Sequence, residues 1–222
     1  MLQIYDQLMQ FPLFQGMNRD DLEIIVGHTR FGFQKVGAGS TIVNADEPCS
    51  QLMLLIDGTV RIETSAADGG YTVSELSQSP QMLQVEAIFG YYQRYTHTYT
   101  AVTNTQFITI DKEEVSRLSE DFLVFRLNLI GIYATKIQKH SLRLWQRHPD
   151  TLRQRITRFL VDHCTYPAGP KTFHILMTRL ASELNDSRLD ISRALNSMQA
   201  DGLLILSRGR IEVPQIERLL MA

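Results

Sequence analysis

Arg188 and Arg193 stand five residues apart in the stretch from Leu180 to Leu195, which also carries Ser187, Leu189 and Ser192. A guanidinium presents two parallel donors that match guanine O6 and N7, and serine hydroxyls suit base edges and phosphates. A helix that displays these groups on one face has the chemistry to read a major groove. The spacing supplies such a helix. Leu180, Ala181 and Leu184 form the inner face of a short first helix. Asn185, a residue that tolerates the left-handed conformation, sits where the chain must turn. Asp186 or Ser187 can cap a second helix, whose buried face is Ile191, Ala194, Leu195 and Met198. Two helices joined by so short a turn predict a helix-turn-helix.

The residues that follow extend the pattern. Asp201-Gly202 ends the second helix, Leu203–Leu206 reads as a strand, Ser207–Arg210 as a basic turn and Ile211–Val213 as a return strand. This hairpin predicts a wing, with Arg208 and Arg210 at its tip placed to reach backbone phosphates.

Other chemistries lack their residues. A metal-dependent enzyme on a β-roll needs a cluster of His and Glu on facing strands, and residues 31–110 hold a single histidine, His97. No Gly-x-Ser-x-Gly, phosphate loop or paired histidine occurs, so neither catalysis nor a metal site is expected. Cys49 and Cys164 are the only cysteines and lie far apart, which suits a reduced protein better than a disulfide framework. The N-terminus lacks the layout of a signal peptide, and no apolar run approaches a membrane span; a cytoplasmic location is expected. The net charge of -2 over 222 residues is uneven. Residues 150–222 carry ten Lys/Arg against eight Asp/Glu, and residues 1–149 carry twelve against sixteen. The excess positive charge falls where the helix-turn-helix does.

The elements that must position these groups follow from periodicity. Residues 4–30 read as helical turns, with Asn18 capping a helix that has Asp20 and Asp21 in its first turn. From Phe31 to Ile110, short apolar runs alternate with turn signals such as Asp57-Gly58 and Asp68-Gly69-Gly70, which predicts a small antiparallel barrel or jelly roll. Leu123, Leu127, Ile130, Ala134, Ile137, Ser141 and Leu144 then recur at alternating spacings of four and three, the pattern of a seam between two helices. A single helix packed on its own domain is the alternative. Arg126, Lys136, Lys139, Arg143 and Arg147 flank the seam, and Pro149 closes the helix.

Taken in order, these motifs resemble the Crp/Fnr family of regulators across nearly the whole chain. The stretch from Leu180 to Leu195 aligns without a gap. Phe11-Pro-Leu-Phe14, Asp21-Leu22, Gly37, Gly39 and Leu52–Ile56 with Gly58 and Val60 match the family's opening. The resemblance implies an α+β chain: a cyclic-nucleotide-binding-like β-roll over residues 1–118, a dimerisation helix over 119–148 and a winged helix-turn-helix over 149–222. It further implies a homodimer on an inverted repeat of double-stranded DNA, with RNA polymerase as a further partner.

Two departures alter the expectation. Leu189 stands where the family usually has Glu, so cytosine N4 loses its acceptor; the leucine either meets a thymine methyl or packs against the wing. The usual threonine before the first motif helix is Leu176, and the helix is expected to start nearer Thr178. In the effector region, alignment on Phe89 puts Val85 and Tyr95 where nucleotide-binding members place Glu and Arg. Glu86 and Arg94 lie one residue away, but a one-residue slip in a strand reverses the side chain's face. Thr96 and His97 complete this region, and Tyr91, Tyr92, Tyr95 and Tyr99 surround His97 in sequence. The expectation is a regulator that does not respond to cyclic AMP, with no cofactor and an unidentified small-molecule effector. A cyclic-nucleotide-responsive or haem-responsive member, with His97 as the axial ligand, is the alternative.

Overall fold

The computed structural model describes residues 2–145 and 149–221; Arg147, expected on the flank of the long helix, lies outside them. The helices are α1 (Leu2–Leu8), α2 (Arg19–His28), α3 (Lys112–Asp121), α4 (Leu123–Leu144), α5 (Leu152–Asp162), α6 (Met177–Leu184) and α7 (Arg188–Ala200). Between α2 and α3 run β1 (Phe31–Val36), β2 (Thr41–Val43), β3 (Gln51–Asp57), β4 (Thr59–Ser65), β5 (Tyr71–Gln78), β6 (Gln81–Leu83), β7 (Thr98–Ala101) and β8 (Thr105–Asp111). The C-terminal part adds β9 (Lys171–Ile175), β10 (Ile205–Ser207) and β11 (Arg210–Val213). The apolar runs between Phe31 and Ile110 lie in these strands, except that the run Tyr99–Val102 extends one residue past β7, and β6 is an additional short strand. Asn18 caps α2, accepting the Asp21 N–H at 2.7 Å.

The chain forms two compact units. The first holds residues 1–60, 78–96 and 100–146; the second holds 61–77, 97–99 and 147–222. In the first, an antiparallel sheet has the order β1-β8-β3-β6. Leu52, Leu54, Leu55, Ile108 and Ile110 are buried at its centre. Gly58 turns β3 into β4 at φ +97, and a Cβ there would stand 2.6 Å from the Asn104 carbonyl oxygen. Both facts require glycine.

The long helix α4 has two faces. Phe125 and Leu129 are buried. Phe125 meets Phe14 edge-on at 5.5 Å, and the Asn128 amide donates to the carbonyls of Leu13 and Gln15 at 3.1 and 2.8 Å. Phe11-Pro-Leu-Phe14 is thus the N-terminal turn that supports this helix. The opposite face, Leu123, Leu127, Ile130, Ala134, Ile137 and Ser141, is exposed along its length. An apolar helical stripe left open on one chain is unfavourable in water.

In the second unit the sheet runs β10-β11-β9-β5-β4, so the hairpin of β4 and β5 extends the sheet of the wing. Val73 of β5 shares one core with Phe159, Phe173, Leu180, Leu195 and Ile211. Directly opposed across β5 and β9 are Glu75 and Lys171, essentially without solvent exposure, with Nζ 2.8 Å from Oε2. The contact is an ion pair whose angle falls short of a hydrogen bond. Glu75 also accepts the backbone N–H groups of Thr165 and Tyr166 at 2.7 and 3.2 Å. Removing one partner of such a pair leaves an uncompensated buried charge and typically costs about 3–5 kcal/mol.

Candidate nucleic-acid interface and effector region

The helix-turn-helix is built largely from local signals. In α6, Leu180 and Ala181 are buried, and the helix ends where Asn185 takes φ 49, ψ 53. The Asp186 N–H closes that end on the Ala181 carbonyl at 3.0 Å. Ser187, not Asp186, caps α7: its hydroxyl oxygen accepts the Asp190 N–H at 3.1 Å and its proton goes to the Asp190 carboxylate at 2.6 Å. A cap of this kind contributes about 1 kcal/mol. Arg155 of α5 holds the turn from outside, donating to the Leu184 carbonyl at 3.0 Å and to Asp186 at 2.5 Å. No local pattern in the sequence singles out that arginine, since its partners lie about thirty residues away.

Ile191, Leu195 and Met198 are fully buried, which leaves Arg188, Leu189, Arg193 and Asn196 exposed and Ser192 half-buried. Leu189 is 59% exposed, so it does not pack against the wing. Arg193 lies 3.5 Å from Asp190, while Arg188 has no ion pair among the described residues.

Three boundaries differ from the sequence reading. The first motif helix begins at Met177 rather than near Thr178, with Leu176 at its N-cap and no side-chain cap. Strand β9 runs to Ile175, and Leu176 alone separates it from the helix. Leu203 and Leu204 precede β10 as buried core residues, outside the strand. Arg210 is the first residue of β11, paired with Ser207 across the hairpin, and its guanidinium binds Glu212 at 2.8 Å. Only Arg208 and Gly209 form the tip, where Gly209 takes φ +70. A shallow groove of about 310 Å³ brings Arg188 together with Arg208 and Arg210, beside Leu176, Met177 and Thr178 at the start of α6. Arg193 is not part of it.

The effector region follows the alternation of an extended chain. The Tyr95 N–H donates to the Glu47 carbonyl and the Asp46 N–H to the Tyr95 carbonyl, at 3.0 and 2.7 Å. This pairing turns Tyr95 inward and Arg94 outward. Tyr95 is buried, its hydroxyl donating to the Gln51 carbonyl at 3.4 Å, and burial with the neighbouring Cys49 pushes its pKa far above the usual phenol range. Arg94 donates to the Asp46 carbonyl at 2.5 Å. Val85 is buried in the helical turn Val85–Ala87, and Glu86 points out to an ion pair with Lys136 of α4. Thus Glu86 and Arg94 are each engaged with other groups.

Sequence reading overlooked Gln84. It is buried at φ 35, ψ 55; its carbonyl oxygen accepts the Thr96 N–H and its amide donates to the Thr96 hydroxyl, both at 2.9 Å. A neutral amide therefore closes the loop between residues 84 and 96. Tyr133 of α4 donates to the Val85 carbonyl at 3.2 Å, its pKa pushed up to about 12 by burial and by Glu86. An open cavity of about 400 Å³ lies beside this turn, bounded by Glu86, Phe89, Gly90, Tyr133, Lys136 and Ile137. The tyrosines do not gather around one pocket: Tyr91 is fully exposed, whereas Tyr95 and Tyr99 are buried. His97 belongs to the second unit, where its Nδ1 lies 2.7 Å from the Thr64 hydroxyl and its ring meets Tyr99 edge-on. No group of three or more His, Cys, Asp or Glu that could hold a metal occurs among the described residues.

A β-roll followed by a two-faced helix and a winged helix-turn-helix is the architecture of a DNA-binding transcription regulator. The cyclic nucleotide-binding domain family model matches residues 33–122, and the Crp-like helix-turn-helix domain model matches residues 154–222. The chain belongs to the Crp/Fnr family of transcription regulators. It is 22% identical over 202 residues to the cyclic AMP receptor protein of Thermus thermophilus, covering 91% of this chain and 92% of that one. Its fold is similar to the crystal structure of the Thermus thermophilus catabolite activator protein, with TM-score 0.53, 21% identity and coverage of 95% and 97%. It is also similar to a Crp/Fnr-family transcriptional regulator from Eubacterium rectale, with TM-score 0.54, 23% identity and coverage of 96% and 97%. No described helix is long and apolar enough to cross a membrane.

Proposed function

We propose that this protein is a cytoplasmic homodimer that binds an inverted repeat in duplex DNA, works with RNA polymerase, and does not respond to cyclic AMP. The observation that carries the reading is the solvent-facing side of α7, where Arg188, Leu189 and Arg193 are exposed and Arg188 shares a groove with the wing arginines Arg208 and Arg210. Residues 1–118 serve as the sensor, 119–148 as the dimerisation helix and 149–222 as the DNA-binding part. Ser187 caps the recognition helix, and Leu189 takes a thymine methyl where a glutamate would take cytosine N4. Two recognition helices related by a two-fold axis meet half-sites one helical turn, roughly 34 Å, apart. Selection from a random duplex library should therefore return an inverted repeat with half-sites about 10 bp apart, centre to centre. A single unrepeated site would defeat the reading.

The name of the Thermus thermophilus relative favours a second reading, a cyclic-nucleotide-responsive regulator. Against it, Val85 and Tyr95 carry no charge to hold a ribose or a cyclic phosphate, Gln84 closes the loop on Thr96, and Glu86 and Arg94 are engaged elsewhere. Calorimetry with cyclic AMP should show no saturable heat at micromolar concentrations. Tight binding there would mean that the loop from Gln84 to Thr96 rearranges around a ligand.

A further inference from the structure

Ile191, Leu195 and Met198 are fully buried and fix the inner side of α7. At about 3.6 residues per turn, Leu189, Arg193 and Asn196 point within about 60° of one another, on the side opposite those three. Arg188 stands on the flank, where it shares a groove with Arg208 and Arg210 of the wing. We propose that Asn196 reads an adenine in the major groove, at a base pair beside the one read by Arg193. The inference deepens the reading of α7 as the DNA-contacting helix and rests on it.

The amide of Asn196 is held from one side and open on the other. It donates one hydrogen to the Ser192 hydroxyl oxygen at 3.4 Å. Its second hydrogen and its carbonyl oxygen have no protein partner among the described residues. A free donor and a free acceptor side by side match the major-groove edge of adenine, which presents N7 as acceptor and the N6 amino group as donor. No other base offers that pair: guanine shows two acceptors, cytosine a donor and thymine an acceptor beside a methyl group.

The spacing along the helix agrees. Leu189, Ser192, Arg193 and Asn196 stand at i, i+3, i+4 and i+7, the same set that the third helix of a homeodomain turns to the base edges. Asn196 lies three residues beyond Arg193, about 4.5 Å along the helix axis. Bases are stacked about 3.4 Å apart, so the two side chains fall on neighbouring pairs when the helix lies along the groove. Helix stability gives no other reason for an asparagine here. Asn is a weak helix former, because its side chain competes for backbone hydrogen bonds. Asn196 is exposed, and it lies away from both the Ser187 and the Asp201 caps of α7.

Selection from a random duplex library with full-length wild type, Asn196→Ala and Asn196→Lys tests this. Both substitutions place a good helix former at an exposed position, so the fold should survive, and circular dichroism checks it. Wild type should enrich an A·T pair next to the pair whose preference relaxes in Arg193→Ala. Asn196→Ala should lose about tenfold discrimination at that A·T pair and at no other. Asn196→Lys should shift the preference there to G·C, because an ammonium matches the two guanine acceptors. Replacing that adenine by 7-deazaadenine, which lacks the N7 acceptor, should weaken wild type severalfold and leave Asn196→Ala unaffected. Equal weakening of Asn196→Ala on every duplex would place the amide on a phosphate and overturn the proposal. An unchanged Asn196→Ala profile would overturn it as well, while the enriched repeat would still uphold α7 as the DNA-contacting helix. If wild type enriches no duplex, that reading fails first and the adenine contact with it.

Discussion

Replacing Leu127 and Ile137 together by Asp is expected to convert the protein to a monomer and to weaken binding to its inverted repeat by about 10²–10⁴-fold. Both residues lie on the open stripe of α4, and Ile137 is 67% exposed in the single chain. The stripe keeps a four-three spacing from Leu123 through Ser141, as required for two helices to pack side by side. In the proposed dimer, the small side chains of Ala134 and Ser141 would let the backbones approach, and four aspartates brought into one two-fold seam would repel across it. The fold of each chain should survive, because Phe125, Leu129 and Asn128, which hold α4 to its own domain, are on the other face. The DNA effect is large because a dimer places two half-site contacts on one molecule, whereas a monomer pays the entropic cost of association for each. Sedimentation equilibrium and a binding titration on the selected repeat measure the two effects, with circular dichroism confirming the fold. A variant that remains dimeric would assign the stripe to some other contact.

The arginines of the DNA-binding part are expected to divide into two kinds. Arg188→Ala and Arg193→Ala should each relax base preference at one position per half-site, reducing discrimination by about 1–3 kcal/mol, roughly tenfold to a hundredfold. Arg208→Ala should weaken binding to all sequences alike and reduce the log–log salt slope by about 0.9 for each phosphate it no longer neutralises. Arg210→Ala should do the same to a smaller extent, because its guanidinium is already held by Glu212 and must leave that partner to reach a phosphate. Titrations across salt on the selected repeat and on scrambled duplex separate these outcomes. Equal weakening on both duplexes for Arg188→Ala and Arg193→Ala would mean that neither reads a base. Because Arg188 shares the groove of the wing, it is the more exposed of the two to that result.

How much of this was legible in the chain depended on the range of the interaction. The helix-turn-helix was readable because its determinants are local. Asn185 turns the chain in the left-handed region, Ser187 caps the following helix, and Ile191, Leu195 and Met198 recur at helical spacing. The stripe of α4 was readable for the same reason, since a period of three and four residues fixes a face whatever that face meets. Errors at element ends were also local in origin. Leu176 offers no oxygen to mark a start, so the beginning of α6 was placed a residue late. The tip of the wing was drawn too wide because Ser207 and Arg210 pair as strand residues only through the register with the rest of the sheet.

By itself, then, the sequence determined the order of elements, the exposed face of α7 and the open apolar stripe of α4, because each is written in periodicity and in turn residues a few positions apart. Only the tertiary structure decided which side chains share an environment. Tyr95 is inward and Arg94 outward because that segment pairs with residues 46–49, and Gln84 closes on Thr96 across twelve positions. Arg155 reaches the turn at Asp186, and Glu75 meets Lys171 across nearly a hundred residues. Two charges that far apart carry no mark of pairing in the chain. Their partnership is fixed when strands β5 and β9 take one register and the interior excludes the water that would otherwise solvate them.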